Sequence, residues 1–235
     1  MTAPADAQAG EWVPLSPVDR AMARRMERTA AVPVATEFTH VDVVDAMAAV
    51  ARLREQGVRA TFTTIVLAAT AHALAEYPQV AAEVDYETMA RRTPASPSVG
   101  VAVASDRGLV VPVVRAVVGK PFAELAADLD HAVQAARGGA KDAALYAGGH
   151  FTITNIGNLP IYGGVPLPNT PQIAILGVSA AWDAPVVADG EIRASKLARL
   201  TLGLDHRALD GITAARFLVA IKDLVEAPDR LEEPA

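Results

Sequence analysis

Five histidines are the side chains of this 235-residue chain that can exchange protons near neutral pH, and no cysteine stands beside them as thiolate nucleophile or metal ligand. Disulfides and Cys-based metal sites are thereby excluded, and no metal centre is expected. His40 falls in a strand-like run, while His72 and His131 fall in helical runs among apolar and acidic neighbours, positions ordinary for structural histidines. His150 opens a strand that leads to Thr154 and is a candidate pocket lining. His206 differs from all four. It lies where a strand gives way to a helix, within Asp205-His206-Arg207-Ala208-Leu209-Asp210-Gly211, and α/β proteins place reacting groups at such junctions. Two accounts of this motif compete on the residues alone: His206 as a general acid–base, or Asp210 as a plain helix N-cap with His206 paired to a nearby acid.

The elements that would position these residues alternate between helical and strand patterns. Ser16, Pro17 and Asp19 read as N-cap, first-turn proline and capping acid of a helix with Val18, Met22 and Met26 on one face and Arg20, Arg24 and Arg25 on the other. A strand is expected over 34–41 and a helix over 42–55 closed by Gly57, then an all-round apolar, buried helix over 63–77 ended by Pro78. Valine-rich runs at 99–103 and 109–114 flank Ser105-Asp106-Arg107-Gly108, a hairpin turn by composition, and Pro112 forces a gap or an edge in the second run. A helix over 121–137, strands over 150–154, 172–178 and 197–204, and a last amphipathic helix from about Gly211 to Val225 complete the pattern. The stretch 157–171, rich in Gly, Pro and Asn, is too long for a tight hairpin, and loops of that length are usually functional.

A net charge of -6 with scattered basic residues argues against a nucleic-acid-binding face. No run of 18 apolar residues and no basic, apolar leader is present, so a cytoplasmic protein off the membrane is expected. The length suits one domain over 13–235 after a disordered or extended tail over 1–12.

Segment 205–211 resembles the His-x-x-x-Asp-Gly signature of the chloramphenicol acetyltransferase-like superfamily, in the Asp-His-Arg-x-x-Asp-Gly form of the dihydrolipoamide acyltransferases of 2-oxo acid dehydrogenase complexes. The similarity extends through Leu15-Ser16 to Arg24-Arg25-Met26, Gly100-Val101-Ala102-Val103 to Leu109-Val110-Val111-Pro112-Val113, Phe151-Thr152-Ile153-Thr154-Asn155, and Pro171-Gln172-Ile173-Ala174-Ile175-Leu176-Gly177. What the resemblance implies is an α/β two-layer sandwich with a mixed sheet, forming trimers with the reaction site between subunits. It makes His206 the general base toward a hydroxyl or thiol that attacks a thioester, and Thr154 the donor to the oxyanion. Asp210 would form a structural ion pair, with Arg25 its matching arginine, and Asn155 and Gly211 would support the site. Acyl-CoA, acetyl-CoA above all, would be a co-substrate, with no tightly bound cofactor.

Three departures from the family pattern shape the functional expectation. Asn158-Leu159-Pro160-Ile161-Tyr162-Gly163-Gly164 replaces the family's aromatic-glycine segment, which makes Leu159, Ile161 and Tyr162 candidates for a rebuilt acceptor pocket. Lipoyl and peripheral-subunit-binding domains are not seen ahead of the catalytic region. At the other end Leu231 is followed by Glu232-Glu233-Pro234-Ala235, and burying two unpaired carboxylates between trimers would be unfavourable, so a free homotrimer is expected. The leading expectation is therefore CoA-dependent O-acetylation of a small-molecule hydroxyl in specialised metabolism, for which a tetronate intermediate is a fit. The alternatives are a dihydrolipoamide acyltransferase served by a carrier or lipoyl protein in trans, and a non-catalytic trimeric scaffold.

Overall fold

The computed structural model describes residues 12–233 except 107 and 189, and only the backbone of 18 and 28. The expected tail over 1–12 lies outside the described residues but for Trp12, as do the turn residue Arg107, the side chain of Val18 and the terminal Pro234-Ala235.

Helix α1 spans Pro17–Ala30, and the amide of Asp19 donates to Ser16 Oγ at 3.1 Å, the cap its sequence specifies. Buried Thr29 ties this helix to the long loop, its hydroxyl lying 3.2 Å from Pro168 O and 3.0 Å from Thr170 Oγ1. Strand β1 (Val34–Asp42) leads into α2 (Val44–Glu55), beyond which Gly57 turns the chain at φ +84°. Helix α3 (Phe62–Glu76) starts on a reciprocal Thr61–Thr64 capping box and is buried nearly all round, as its unbroken apolar run requires.

Beyond it come β2 (Glu83–Asp85) and β3 (Ala90–Arg92), a short hairpin without a hydrophobic alternation that would reveal it in sequence. Strands β4 (Val99–Ser105), β5 (Gly108–Val110) and β6 (Val113–Val114) follow, Pro112 opening the expected gap between the last two. Helix α4 (Phe122–Arg137), β7 (Phe151–Asn155), β8 (Ala174–Val178), β9 (Trp182–Ala188), β10 (Glu191–Asp205) and α5 (Gly211–Glu226) complete the chain. Strand β9 was not expected from the sequence, and β10 begins at Glu191 rather than at 197. The two form a ribbon that does not reach the core: β9 alternates between half-buried and exposed residues, the facing start of β10, Glu191 to Ala194, is exposed throughout, and Pro185 is tolerated because β9 pairs on one side only.

Together β1-β10-β8-β7-β4-β5, with β9 beside β10 and β6 beside β4, form one eight-stranded sheet. It is mixed, because β4, β7 and β8 run parallel and the remaining pairs are antiparallel. Leu200, Leu202 and Leu204 on β10, with Phe151 and Ile153 on β7, join the α3 and α5 side chains in one core, so the helices form a second layer on that face. The two-layer α/β sandwich is the one expected.

At the far end Leu231 is buried in the chain's own core, and Arg52 Nη2 holds Asp229 at 2.6 Å and Glu232 at 3.0 Å. Glu232 is therefore paired within the chain, which corrects the premise that both tail carboxylates lack partners. Among the described residues no helix is long and apolar enough to cross a membrane.

Candidate active site

Strand β10 ends in a tight turn, the amides of Ala208 and Leu209 both donating to Asp205 O at 3.0 and 3.1 Å. Leu209 is buried beneath the turn and His206 is thrust outward into solvent, its amide held by Pro33 O at 3.2 Å. The turn is fixed by a side-chain clamp. Buried Asp205 accepts from the amide and Nε of Arg207, both at 3.0 Å on Oδ1, and from Arg207 Nη2 at 2.8 Å on Oδ2. Tyr86, from the turn between β2 and β3, donates its hydroxyl to Asp205 Oδ2 at 2.7 Å, and the Arg207 guanidinium lies 3.7 Å over its ring centroid.

Burial alone would push the Asp205 carboxyl up, but the bonds from Arg207 and Tyr86 outweigh it and hold the group below its ordinary value. Burial, then the bond to the Asp205 carboxylate, pushes the Tyr86 phenol up to about 12. Of this clamp, Asp205 and Arg207 flank His206 in the motif, whereas Tyr86 stands in a polar turn whose sequence carries no sign of the contact.

Asp210 caps α5, accepting from the amide of Thr213 at 2.9 Å and from its hydroxyl at 2.7 Å; those bonds lower its pKa. The ion pair of this turn is made by Asp205 with Arg207. Arg25, the arginine matched to Asp210, lines a separate cleft with Glu83, Tyr146, Asn169 and Gln172. A Cβ on Gly211 would meet only Glu37 Oε1, at 3.6 Å.

Thr154 lies elsewhere. Alternation along β7 sends it and Thr152 to the face opposite the helices. There Thr152 is locked by Gln172 Oε1 at 2.6 Å and Asn169 Nδ2 at 3.0 Å, whereas Thr154 lines a cavity of about 170 Å³ with Ile156, Gly163, Pro166, Ser179 and Thr201. The roof is the long loop, which crosses the sheet so closely that a Cβ on Gly203 would overlap the Pro166 carbonyl. Asn155 points to the helix side, donating to Thr63 Oγ1 at 3.0 Å and accepting from the Gly157 amide at 2.8 Å, and so anchors the start of that loop. Leu159, Ile161 and Tyr162 are half exposed outside the cavity, and Tyr162 meets the edge of Trp182. His150, with Nδ1 accepting from the Ser98 amide at 3.1 Å, serves the backbone.

Register separates the two catalytic candidates. Thr154 stands level with Gly177, and Gly177 with Thr201, whereas His206 follows Asp205 at the end of β10. The offset to Asp205 is about 13 Å along the strands and roughly 9.5 Å across them, and His206 lies one residue further on. One copy therefore does not bring His206 and Thr154 to a common reacting atom.

Residues 7–232 match the family model of the 2-oxoacid dehydrogenases acyltransferase catalytic domain. The dihydrolipoyllysine-residue succinyltransferase component of the 2-oxoglutarate dehydrogenase complex of Bartonella vinsonii subsp. berkhoffii is 35% identical over 232 residues, covering 94% of this chain and 55% of its own length. A branched-chain lipoamide acyltransferase component from Pseudomonas putida is 33% identical over 227 residues, covering 93% of this chain and 53% of its own length. The chain thus spans about half the length of the curated relatives it matches. Among solved structures, the Azotobacter vinelandii dihydrolipoamide acetyltransferase, studied for the roles of a serine, a histidine and an asparagine in its catalytic mechanism, superposes with a TM-score of 0.88 at 30% identity over 98% of both chains. A chloramphenicol acetyltransferase shares the fold at a TM-score of 0.54 and 14% identity, covering 86% of this chain and 94% of the other.

Proposed function

Because the chain belongs to the 2-oxoacid dehydrogenases acyltransferase family by its catalytic domain, we propose that it moves acyl groups between CoA and the thiol of a dihydrolipoyl group. One observation carries the residue roles. In the Azotobacter enzyme the serine precedes the histidine by the spacing that separates Thr154 from His206, and the asparagine follows it by the spacing that separates Asp210 from His206. A hydroxyl open to a cavity and an imidazole exposed on a clamped turn suit the two roles.

His206 takes the proton from the acceptor thiol as its sulfur attacks the thioester carbonyl. Charge then moves to the carbonyl oxygen, where the Thr154 hydroxyl donates a hydrogen bond. Collapse of the tetrahedral adduct breaks the bond to the CoA sulfur, and the imidazolium returns its proton to the departing thiolate. Asp210 acts as the cap of α5, fixing the exit of the His206 turn, rather than as a second base.

Since one copy holds the two groups apart, His206 of one copy works with Thr154 of another. That arrangement supports the expected homotrimer, with the dihydrolipoyl arm arriving from outside this domain. The relatives are named for dihydrolipoyllysine or lipoamide, which supports a thiol acceptor over the small-molecule hydroxyl. Nothing among them supports a tetronate alcohol or specialised metabolism.

The test offers acetyl-CoA and succinyl-CoA to the protein with dihydrolipoamide and, separately, with simple alcohols. Thioester formation that drops by about 10²-fold or more in His206→Ala is expected. Transfer to alcohols alone would return the reading to O-acylation, and transfer indifferent to His206 would favour the scaffold.

A further inference from the structure

Alternation along β10 places Arg199, Thr201, Gly203 and Asp205 on the face opposite the helices. Thr201 lines the Thr154 cavity, and Arg199 is its neighbour on that face. The Arg199 amide donates to Ser179 Oγ at 2.8 Å and its carbonyl accepts from the Ser179 amide at 3.0 Å. Ser179 is itself a cavity residue, and a Cβ on Gly163, another one, would come within 2.9 Å of Arg199 Nη1. The guanidinium therefore lies at the rim of the cavity that holds Thr154.

The surroundings leave this cation unanswered. Arg52, Arg59, Arg92 and Arg207 each hold a carboxylate, but no carboxylate among the described residues lies within ion-pair distance of Arg199. Its Nη2 is 3.2 Å from His40 Nε2, and its plane lies 5.5 Å from the Phe38 ring. Its Nε is buried with no hydrogen-bond partner, the one such side-chain atom among the described residues. Solvent does not reach Nε, so a ligand entering from the cavity meets the Nη edge of the guanidinium instead. On the side away from the cavity His40 meets the edge of Trp182, which in turn meets Tyr162.

A planar guanidinium fork in such a setting selects a planar anion that accepts two parallel hydrogen bonds. Strand geometry puts the backbones of Arg199 and Thr154 about 12 Å apart, and the arginine side chain spans much of that. The anion thus lies only a few bonds from an acyl carbonyl at Thr154, nearer than any phosphate of CoA. We propose that Arg199, backed by His40, receives a carboxylate carried by the substrate whose acyl carbonyl sits at Thr154. This rests on the acyl-transfer reading above. The carboxylate belongs either to the acyl chain of the donor, as in a dicarboxylic half-thioester, or to the acceptor.

Two matched pairs distinguish these sources. Succinyl-CoA is compared with butyryl-CoA on dihydrolipoamide, and dihydrolipoate with dihydrolipoamide under acetyl-CoA. In one pair the carboxylated member should be preferred in kcat/KM by about tenfold or more. Arg199→Gln should erase that preference and Arg199→Lys keep part of it. Ratios that are equal, or that survive in Arg199→Gln, overturn the proposal. So does an Arg199→Gln variant that changes only the sedimentation of the oligomer, because the arginine then serves a neighbouring copy. Should the native chain transfer no acyl group, the acyl-transfer reading fails separately. Calorimetric binding then decides on Arg199: tighter binding of succinyl-CoA than butyryl-CoA that vanishes in Arg199→Gln supports the carboxylate site, and equal binding overturns it.

Discussion

Tyr86 and Asp205, 119 positions apart in the chain, meet through a 2.7 Å hydrogen bond beneath the turn that presents His206. The same ring underlies the Arg207 guanidinium, so one residue braces both members of the ion pair. Tyr86→Phe keeps the stacking and loses the bond. A fall in kcat of about tenfold with KM nearly unchanged is expected, whereas Tyr86→Leu, which loses both contacts, should lower kcat further. Steady-state kinetics on folded protein checks this, and an unchanged kcat in both variants would detach the clamp from catalysis.

The clamp also predicts how stability responds to pH. Tyr86 is raised from an ordinary 10.0 to about 12, so its contribution is complete below pH 10.0 and is lost as pH climbs toward 12. Asp205 is lowered, so its contribution is present above an ordinary 3.8 and fades as pH falls through the depressed value. Urea midpoints across both ranges should decline at each end, and Tyr86→Phe should flatten the alkaline decline.

Subunit complementation tests the shared site. His206→Ala and Thr154→Ala should each be nearly inactive, the second by about 10²-fold in kcat. Co-refolded mixtures should regain up to about a quarter of native activity, because some subunit boundaries pair an intact histidine with an intact threonine. No recovery from mixtures that demonstrably exchange subunits would contradict a site divided between copies.

Gly203 is fixed by the roof of the cavity. Gly203→Ala places a methyl group where the Pro166 carbonyl lies, and it should cost about 1–3 kcal/mol in denaturant unfolding. The displaced loop should also raise KM, since Gly163 and Pro166 line the Thr154 cavity. A variant with native stability and KM would show that the loop moves aside freely.

Asp210 is expected to matter through the helix it caps. Asp210→Asn keeps an acceptor for the Thr213 amide and should retain activity, while Asp210→Ala should lower the urea midpoint and the rate together. Full loss of activity in the asparagine variant at native stability would mean that the negative charge takes part in the reaction.

Much of this was legible in the sequence because its causes are local. Ser16 with Asp19 announces a cap, Pro112 breaks a ladder, and an unbroken apolar run over α3 marks burial. His206 was visible for the same reason, as a titratable residue at a strand-to-helix junction. The rest depends on contacts that no nearby residue encodes. Tyr86 sits in a polar turn with nothing in its neighbours to point to Asp205, and Arg199 reads as one more charged residue of a strand. Strand β9 carries no core alternation because both its faces stay partly exposed. The cavity roof proved to be Gly163 to Pro166, with the bulky Leu159, Ile161 and Tyr162 outside it, since small residues let the loop lie flat on the sheet.

The register offset between Thr154 and His206 bears on when the chain becomes a catalyst at all. On the roles proposed for His206 and Thr154, a lone copy holds the base without the oxyanion donor in reach. Activity is then expected of assembled copies alone, and specific activity should fall on dilution through the dissociation range while each copy remains folded.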